Sequence, residues 1–425
     1  MRGHIILPVL VVALATVTSA GLAVAQTPAP GSVLTLEEAI SAGQASSPTS
    51  VAAAAGRDVV EAQRRLARLR PNPSLDVVAE NVGGSGAYRG LDVTETTLSL
   101  AVPIERGGKR SARIAVAEAQ GGRAQLGAVV AAADLRLTVT QAYNEAIAAV
   151  RRVANARQQV GIAAEGLRVA RARVRAGRAS PLEEQRADLA RINAEGAAER
   201  AQRTAEAASL RLSGLTRTAP ATLDQDWFSR IGDIGPERPI YAEGTLAAVA
   251  AGTDVAIADA QVRLARSQRV PDVTVSAGVR RLNATNDVAG VFGISVPLPL
   301  FSSGRAGVDV ASAQRAQLDA LRRVAVLDAE RQILAARAEL GNAATTARAA
   351  TGPALVTAIE AARIARIGYR EGKFGQLDLL EAERALAETR ASAIDALAAL
   401  HDARARLERL TTTAPSPSPS PRRPR

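Results

Sequence analysis

Histidine and cysteine, which bind metals and act as bases or nucleophiles in many enzymes, are nearly absent from this chain, which has two histidines and no cysteine. His4 lies in the apolar leader, and His401 lies beside Asp402 in a late helical segment. A His–Asp pair can serve as a base or a metal ligand, but no further histidine or cysteine completes either site. We therefore interpret His401 as a solvated helix residue, and we predict no catalytic residue, no metal site and no cofactor.

A glycine-rich basic turn, Gly107-Gly108-Lys109-Arg110, is the feature nearest to a phosphate-binding loop. It lacks the spaced glycines of a nucleotide loop, and no GxSxG or HExxH motif occurs. The sequence therefore predicts that the protein is not an enzyme and that any energy it uses comes from a partner.

Composition favours long helices over several ordinary globular cores, since only 2% of the 425 residues are aromatic. The formal charge is +11, but the arginines alternate with Glu and Asp along helical stretches, and the one dense basic cluster is the final PRRPR. This pattern does not indicate nucleic-acid binding.

The first 25 residues have the features of an export signal peptide. Arg2 precedes an apolar run from Ile5 to Val17, and Ala23-Val24-Ala25 forms a small-residue cleavage site. The alternative is an uncleaved membrane anchor. No second apolar stretch of about 20 residues follows, so entry of the mature chain into a membrane would require strands.

The chain contains two copies of one pattern, about 195 residues apart. Strand, Val-Pro, basic turn and helix follow one another in LSLAVPIERGGKRSARIAVAEAQ (98–120) and again in GISVPLPLFSSGRAGVDVASAQ (293–314). The predicted division is a signal peptide 1–25, a first repeat 26–220, a linker 221–244, a second repeat 245–411, and a disordered Pro/Ser/Arg tail 412–425.

Each repeat is predicted to contain a helix, a β-hairpin and a long helical hairpin. Thr35 and Glu38 form a capping box for a helix that runs to Leu69. The β-hairpins are predicted at 74–104 and 272–299, with polar loops at 83–92 and 282–290.

Period-two alternation gives these strands one apolar and one wettable face. We predict that the apolar face contacts lipid through Leu98, Leu100, Val102, Phe292, Ile294 and Val296. A small soluble sandwich is the alternative. Four strands cannot close a barrel alone, so a membrane role requires several chains.

The stretch 110–176 contains no proline and carries a seven-residue repeat. Val139, Ala146, Val153, Val160, Leu167 and Val174 occupy one heptad position, and alanine fills the position three residues after each of the first five. This pattern predicts closely packed coiled-coil helices, with a length of roughly 100 Å for the first.

Two turns are predicted to reverse the helical hairpins. The first uses Gly177, Ser180 and Pro181, with Glu183 completing a capping box, and the second follows Gly372. We predict that both tips dock the helical hairpin of a partner protein; a well-capped reversal with no partner is the alternative. The predicted contact residues are Gly177, Ser180, Pro181, Gly372, Phe374, Leu377 and Asp378.

The segments VPIERGGKR (102–110), VPLPLFSSGR (296–305) and GKFGQLDLLEAERAL (372–386), with the doubled architecture, resemble the outer membrane efflux protein family of TolC-like channels. The segment RLRPNPSLDVVAEN (68–81) is similar to the cobalt-zinc-cadmium resistance branch. The fold class implied is mainly α with a small β part: long helical hairpins in tandem repeat, plus four strands per chain in a trimeric twelve-stranded transmembrane β-barrel.

The resemblance further implies a homotrimer in outer-membrane lipid, with a helical tunnel in the periplasm. It implies a periplasmic adaptor, an inner-membrane pump of the RND type, and passive export of divalent heavy-metal cations or otherwise of drugs. Aromatic residues near the strand ends are fewer than this family pattern implies. The alternative function is a periplasmic coiled-coil adaptor or scaffold without a pore; two tandem hairpins favour the channel.

Overall fold

The computed structural model describes residues 33–218, 222–232 and 241–415. The predicted signal peptide and most of the predicted tail lie outside these residues. Over the described part of the chain, no helix has the length and apolarity needed to cross a membrane.

Long helices account for most of the described chain. The helices are α1 (Leu36–Ser46), α2 (Pro48–Arg68), α3 (Lys109–Arg175), α4 (Pro181–Thr216), α5 (Gln225–Ser229), α6 (Leu246–Gln268), α7 (Arg305–Ala349), α8 (Leu355–Arg370) and α9 (Gln376–Thr411). The strands are β1 (Val33–Leu34), β2 (Ser74–Glu80), β3 (Glu95–Ile104), β4 (Thr222–Leu223), β5 (Val273–Leu282) and β6 (Asp287–Ser295).

The predicted long helix is confirmed as α3, a single helix of 67 residues. Its heptad positions face the other helices, since Val139, Ala142, Ala146, Ala149 and Val153 are all buried. Alanine side chains let α3 pack closely against α4 and α9. The largest buried cluster lies where these helices meet α1 and α7, and includes Tyr143, Ile147, Leu212 and Leu400.

Two segments that were each predicted to form a single helix are interrupted in the structure. The first predicted helix divides into α1 and α2, because Ser47 is extended and its hydroxyl caps the next helix, which begins at Pro48. The second long helix is broken by a π-helical turn at Ala350–Ala354. There Gly352 leaves helical geometry, and Pro353 has no amide hydrogen to donate.

The four longer strands form one antiparallel sheet in the order β2-β3-β5-β6. Thr97 pairs with Arg280, and Leu100 pairs with Ala277, which pairs in turn with Phe292. The second strand pair extends further into its predicted loop than expected, leaving only residues 283–286 between β5 and β6. Strands β2 and β6 are the sheet edges, and among the described residues each has a strand partner on one side only.

The predicted linker contains a short ordered strap. Strand β4 pairs in parallel with β1, and the Asp224 carboxylate caps α5. Residues 412–415, the described start of the predicted tail, lie against residues 244–245 through backbone hydrogen bonding.

Candidate functional site

One face of the sheet exposes a continuous apolar surface. Leu100 and its neighbours on the same face, Leu98 and Val102, are 41–49% exposed, while Phe292 is 85% and Ile294 is 75% exposed. Pairing places these side chains in rows across three strands, for example Val102, Val275 and Ile294. Exposed apolar patches of this kind mark surfaces that are covered by lipid or by another protein.

The opposite face of the sheet carries small and polar side chains. Thr97 and Ala101 are buried there. The Arg280 guanidinium forms ion pairs with Glu80 at 2.9 Å and Glu95 at 2.8 Å. The two faces therefore differ sharply in polarity, as expected for a sheet between lipid and a wet interior.

The first hairpin tip connects α3 to α4. Gly177 has φ +67°, a conformation that favours glycine, and the Arg178 amide donates to the Arg173 carbonyl. The Ser180 hydroxyl accepts from the Leu182 amide, and Pro181 opens the next helix as predicted. The predicted capping role of Glu183 is wrong, because its carboxylate points to the second hairpin.

The second tip connects α8 to α9. Gly372 has φ +72°, and the Lys373 amide donates to the Gly368 carbonyl. The Phe374 ring lies on Gly368, where a methyl group would overlap it. Asp378 caps α9 by accepting from the Gly375 amide at 2.9 Å, and Leu377 is 68% exposed.

Glu183 joins the two tips. The Tyr369 hydroxyl donates to its carboxylate at 2.7 Å, and the Gln376 amide donates to its backbone carbonyl at 2.9 Å. The Arg173 guanidinium lies 3.7 Å from the same carboxylate and stacks over the Tyr369 ring. Burial, with a further contribution from the Glu183 carboxylate, raises the pKa of Tyr369 to about 12, so the phenol stays a donor at neutral pH.

This connection was missed in the sequence analysis. Glu183 and Tyr369 are 186 residues apart, and Glu183 fits a capping box equally well. The available signal was a tyrosine at the end of an amphipathic helix, next to the predicted turn.

The prediction that His401 is solvated is wrong. His401 is 3% exposed and stacks on Trp227, and its Nε2 atom lies 2.9 Å from the Phe228 carbonyl oxygen. Burial lowers the pKa of His401 to about 4 despite that hydrogen bond, so the ring is neutral at neutral pH and its Nε2–H donates. Its contacts are structural, because it holds the α5 strap against α9.

No cluster of three or more potential metal-ligating side chains (His, Cys, Asp or Glu) occurs in the described part of the chain. Two surfaces of the described chain match the sequence predictions by position: the apolar sheet face and the paired hairpin tips.

Comparison with known proteins agrees with this geometry. The Outer membrane efflux protein family matches residues 39–216 and 245–413. The cobalt-zinc-cadmium resistance protein CzcC of Cupriavidus metallidurans is 30% identical over 89% of this chain and 90% of its own length. The nickel and cobalt resistance protein CnrC of the same organism is 33% identical over 63% of this chain and 64% of its own.

The fold is similar to that of a solved channel. The open state of the Neisseria gonorrhoeae MtrE outer membrane channel superposes with a TM-score of 0.72 at 19% identity, covering 88% of each chain. The family assignment favours the channel over the adaptor or scaffold alternative. The chain belongs to the outer membrane efflux protein family and is an outer-membrane channel component of an efflux system, with its helical part in the periplasm.

Proposed function

We propose that three copies of this chain assemble into one duct, in which their sheets close a twelve-stranded barrel. The observation that carries this proposal is the sheet itself. Its apolar face is exposed, and its edge strands β2 and β6 each lack a partner on one side. Open edges are not tolerated in lipid, and four strands are too few to close.

Apolar residues on the outer helices support assembly of several copies. Leu182, Leu189 and Ile192 are more than half exposed on α4, and Val356 is 66% exposed on α8. Within one chain α4 packs on α3 and α8 packs on α9, and α4 meets α8 near the tips through Glu183 and Tyr369. A neighbouring copy that brings its α4 against α8 would cover these apolar side chains and extend the layer of helices around the tunnel.

We assign the hairpin tips to contact with a periplasmic adaptor. Gly177, Ser180 and Pro181 shape the first tip, and Gly372, Phe374, Leu377 and Asp378 shape the second. Leu377 supplies an exposed apolar anchor, and Phe374 another that is 42% exposed. The Glu183–Tyr369 connection holds the two tips together, so opening the tunnel at this end requires its separation.

The cargo we propose is a divalent heavy-metal cation, conducted passively after delivery by an inner-membrane pump of the RND type. CzcC and CnrC are named for resistance to cobalt, zinc, cadmium and nickel, which supports this choice over drugs. We assign the two repeats to 26–220 and 245–411, each giving one β-hairpin and one helical hairpin.

Deletion and fractionation test the proposal. Removing the gene should lower the concentration of cobalt, zinc or cadmium salts that stops growth, and a plasmid copy should restore it. The protein should appear in the outer-membrane fraction as an SDS-resistant trimer that heating converts to monomer. A soluble periplasmic monomer would contradict the duct, whereas unchanged metal tolerance with increased drug sensitivity would contradict only the cargo.

A further inference from the structure

A cavity of about 400 Å³ lies between α3, α9 and the π-helical turn, beneath the end of the α5 strap. It is separate from the sheet and from the hairpin tips. The residues that define it are Arg151, Asn155, Thr351, Leu355, Arg390 and Ile394. Its volume lies in the range of sites that bind small organic molecules.

The charged residues that line this cavity are all positive. Two arginines line it, and no Asp or Glu is among the lining residues. Arg151 is held at its edge, donating to the Gln225 carbonyl at 2.6 Å and to the Ser229 hydroxyl at 2.7 Å. The guanidinium charge of Arg151 is therefore fixed in place without a carboxylate hydrogen-bonded to it.

Two buried polar atoms in the wall have no hydrogen-bond partner. These are Nη1 of Arg390, a charged donor, and Oδ1 of Asn155, an acceptor whose amide nitrogen donates to the Ala387 carbonyl. Leaving such atoms unpaired is costly, and the cost is largest for a charged group. Both of these atoms are enclosed in the wall. A ligand in the cavity meets instead the other two guanidinium nitrogens of Arg390, which are accessible and form no hydrogen bond or ion pair with the described residues.

Apolar side chains form part of the remaining wall, beside the polar Gln158, Ser229 and Thr351. Leu355 comes from the first turn of α8, and Ile394 and Leu397 come from α9. The π-helical turn that carries Thr351 widens the helix at this point, and such turns often occur at functional sites. The cavity thus combines a cationic end with an apolar body.

We propose that this cavity binds a small organic anion, a carboxylate attached to a compact apolar group. The carboxylate would accept charge-assisted hydrogen bonds from Arg390, with Arg151 adding attraction, while the apolar group packs on Leu355 and Ile394. This site is independent of the metal cargo and of the assembly proposed above.

Calorimetric titration of the purified full-length protein in a nonionic detergent tests the proposal, with 4-isopropylbenzoate as probe and the uncharged 4-isopropylbenzamide as its match. We expect saturable binding of the carboxylate at one site per chain, and binding of the amide at least tenfold weaker. Equal affinity for both probes, or no saturable binding of the carboxylate, would overturn the proposal.

Variants locate the site. Arg390→Gln should weaken carboxylate binding at least tenfold. Asn155→Asp should do the same, because it places a negative charge in the wall of the same cavity at nearly constant volume. The matched control is Arg384→Gln on the same helix, whose side chain is 80% exposed and pairs with Glu388; it should bind like the wild type. If Arg390→Gln and Asn155→Asp bind normally while their SDS-resistant trimers form, the site is elsewhere and the proposal fails.

Discussion

The two repeats share one order of elements but differ in how firmly each is held. In the first repeat the long helix α3 is continuous over 67 residues, whereas in the second a π-helical turn separates α7 from α8. At another repeat-related pair of positions, His401 is buried beneath the α5 strap while Glu206, 195 residues earlier, is exposed. The long helices are common to both repeats. The differences are the π-helical turn that interrupts the second long helix and the α5 segment that packs on α9.

The strands are the part in which the repeats should behave alike, and changes there should have the largest effect. Leu100→Arg in the first repeat and Ile294→Arg in the second, 194 residues later, each place a charge on the apolar face. Each should cost about 2 to 4 kcal/mol if that face meets lipid at mid-depth. The yield of SDS-resistant trimer in outer membranes measures the loss.

Asp76→Arg is the control, because position 76 lies on the polar face of the neighbouring strand. A trimer yield that falls equally in all three variants would contradict the assignment of faces.

The continuity of α3 can be broken at the position that corresponds to Pro353. Gln158 lies 195 residues before Pro353 and is exposed in the middle of α3. Gln158→Pro should cost about 3 kcal/mol, since it removes a helix hydrogen bond and introduces a clash. The midpoint of thermal trimer dissociation should fall well below that of Gln158→Ala, and equal midpoints would show that α3 tolerates a break as the second repeat does.

The stability that comes from packing His401 of α9 against Trp227 and Phe228 should depend on pH. The pKa of His401 is about 4 in the folded chain and near 6.5 when unfolded. The unfolded state therefore binds more protons as pH falls below 6.5, and the stability from neutral His401 is lost progressively down to pH 4. Between pH 7.5 and 5 this amounts to about 2 kcal/mol.

His401→Gln should remove this part of the pH dependence while carboxylate titrations remain. Urea unfolding at the two pH values measures the difference between wild type and variant. Identical pH profiles would mean that His401 is not buried in a neutral state.

The connection between the two tips should make a smaller contribution. Tyr369→Phe deletes the hydroxyl that donates to Glu183 and should cost about 1.5 kcal/mol, the value for a hydrogen bond to a charged group. Because this bond joins the two hairpins, its loss should raise the open fraction and the ion conductance of the purified protein in planar bilayers. Tyr241→Phe, at a tyrosine 76% exposed, is the control. Equal conductance of the two variants would show that the Tyr369–Glu183 hydrogen bond does not keep the tunnel closed.

The smallest effect is expected where the second repeat is already broken. Pro353→Ala restores one backbone donor, but Gly352 still departs from helical geometry. We expect a change in dissociation midpoint equivalent to less than about 1 kcal/mol, in contrast with Gln158→Pro. A large stabilisation would show that proline alone strains the second hairpin.

Local sequence patterns were enough to predict the elements that repeat. The heptads of α3, the strand alternation and the Gly177 and Gly372 turns each depend on neighbouring residues, and the structure has all of them. The dipeptide Gly352-Pro353 predicts an interruption of the helix at Ala350–Ala354. It was not used because the repeat with the first half of the chain predicted a continuous helix.

Contacts between distant residues could not be predicted in the same way. His401 is buried because residues 227–228 of the strap fold over it, 173 residues away along the chain. Glu183 meets Tyr369 only when both hairpins are in place. From the local sequence, His401 was predicted to be an exposed helix residue and Glu183 a helix cap. Tertiary packing gives each residue a different role.

If each sheet is completed by the sheets of other copies, strands β2 and β6 of neighbouring copies lie side by side, and the absence of native cysteine allows a direct measurement of this. Val77→Cys on edge strand β2 and Phe292→Cys on edge strand β6 can be combined and treated in membranes with a short thiol cross-linker. We expect a covalent trimer on a denaturing gel for the double variant and at most a dimer for each single variant. A double variant that remains monomeric, with both thiols modified, would contradict it.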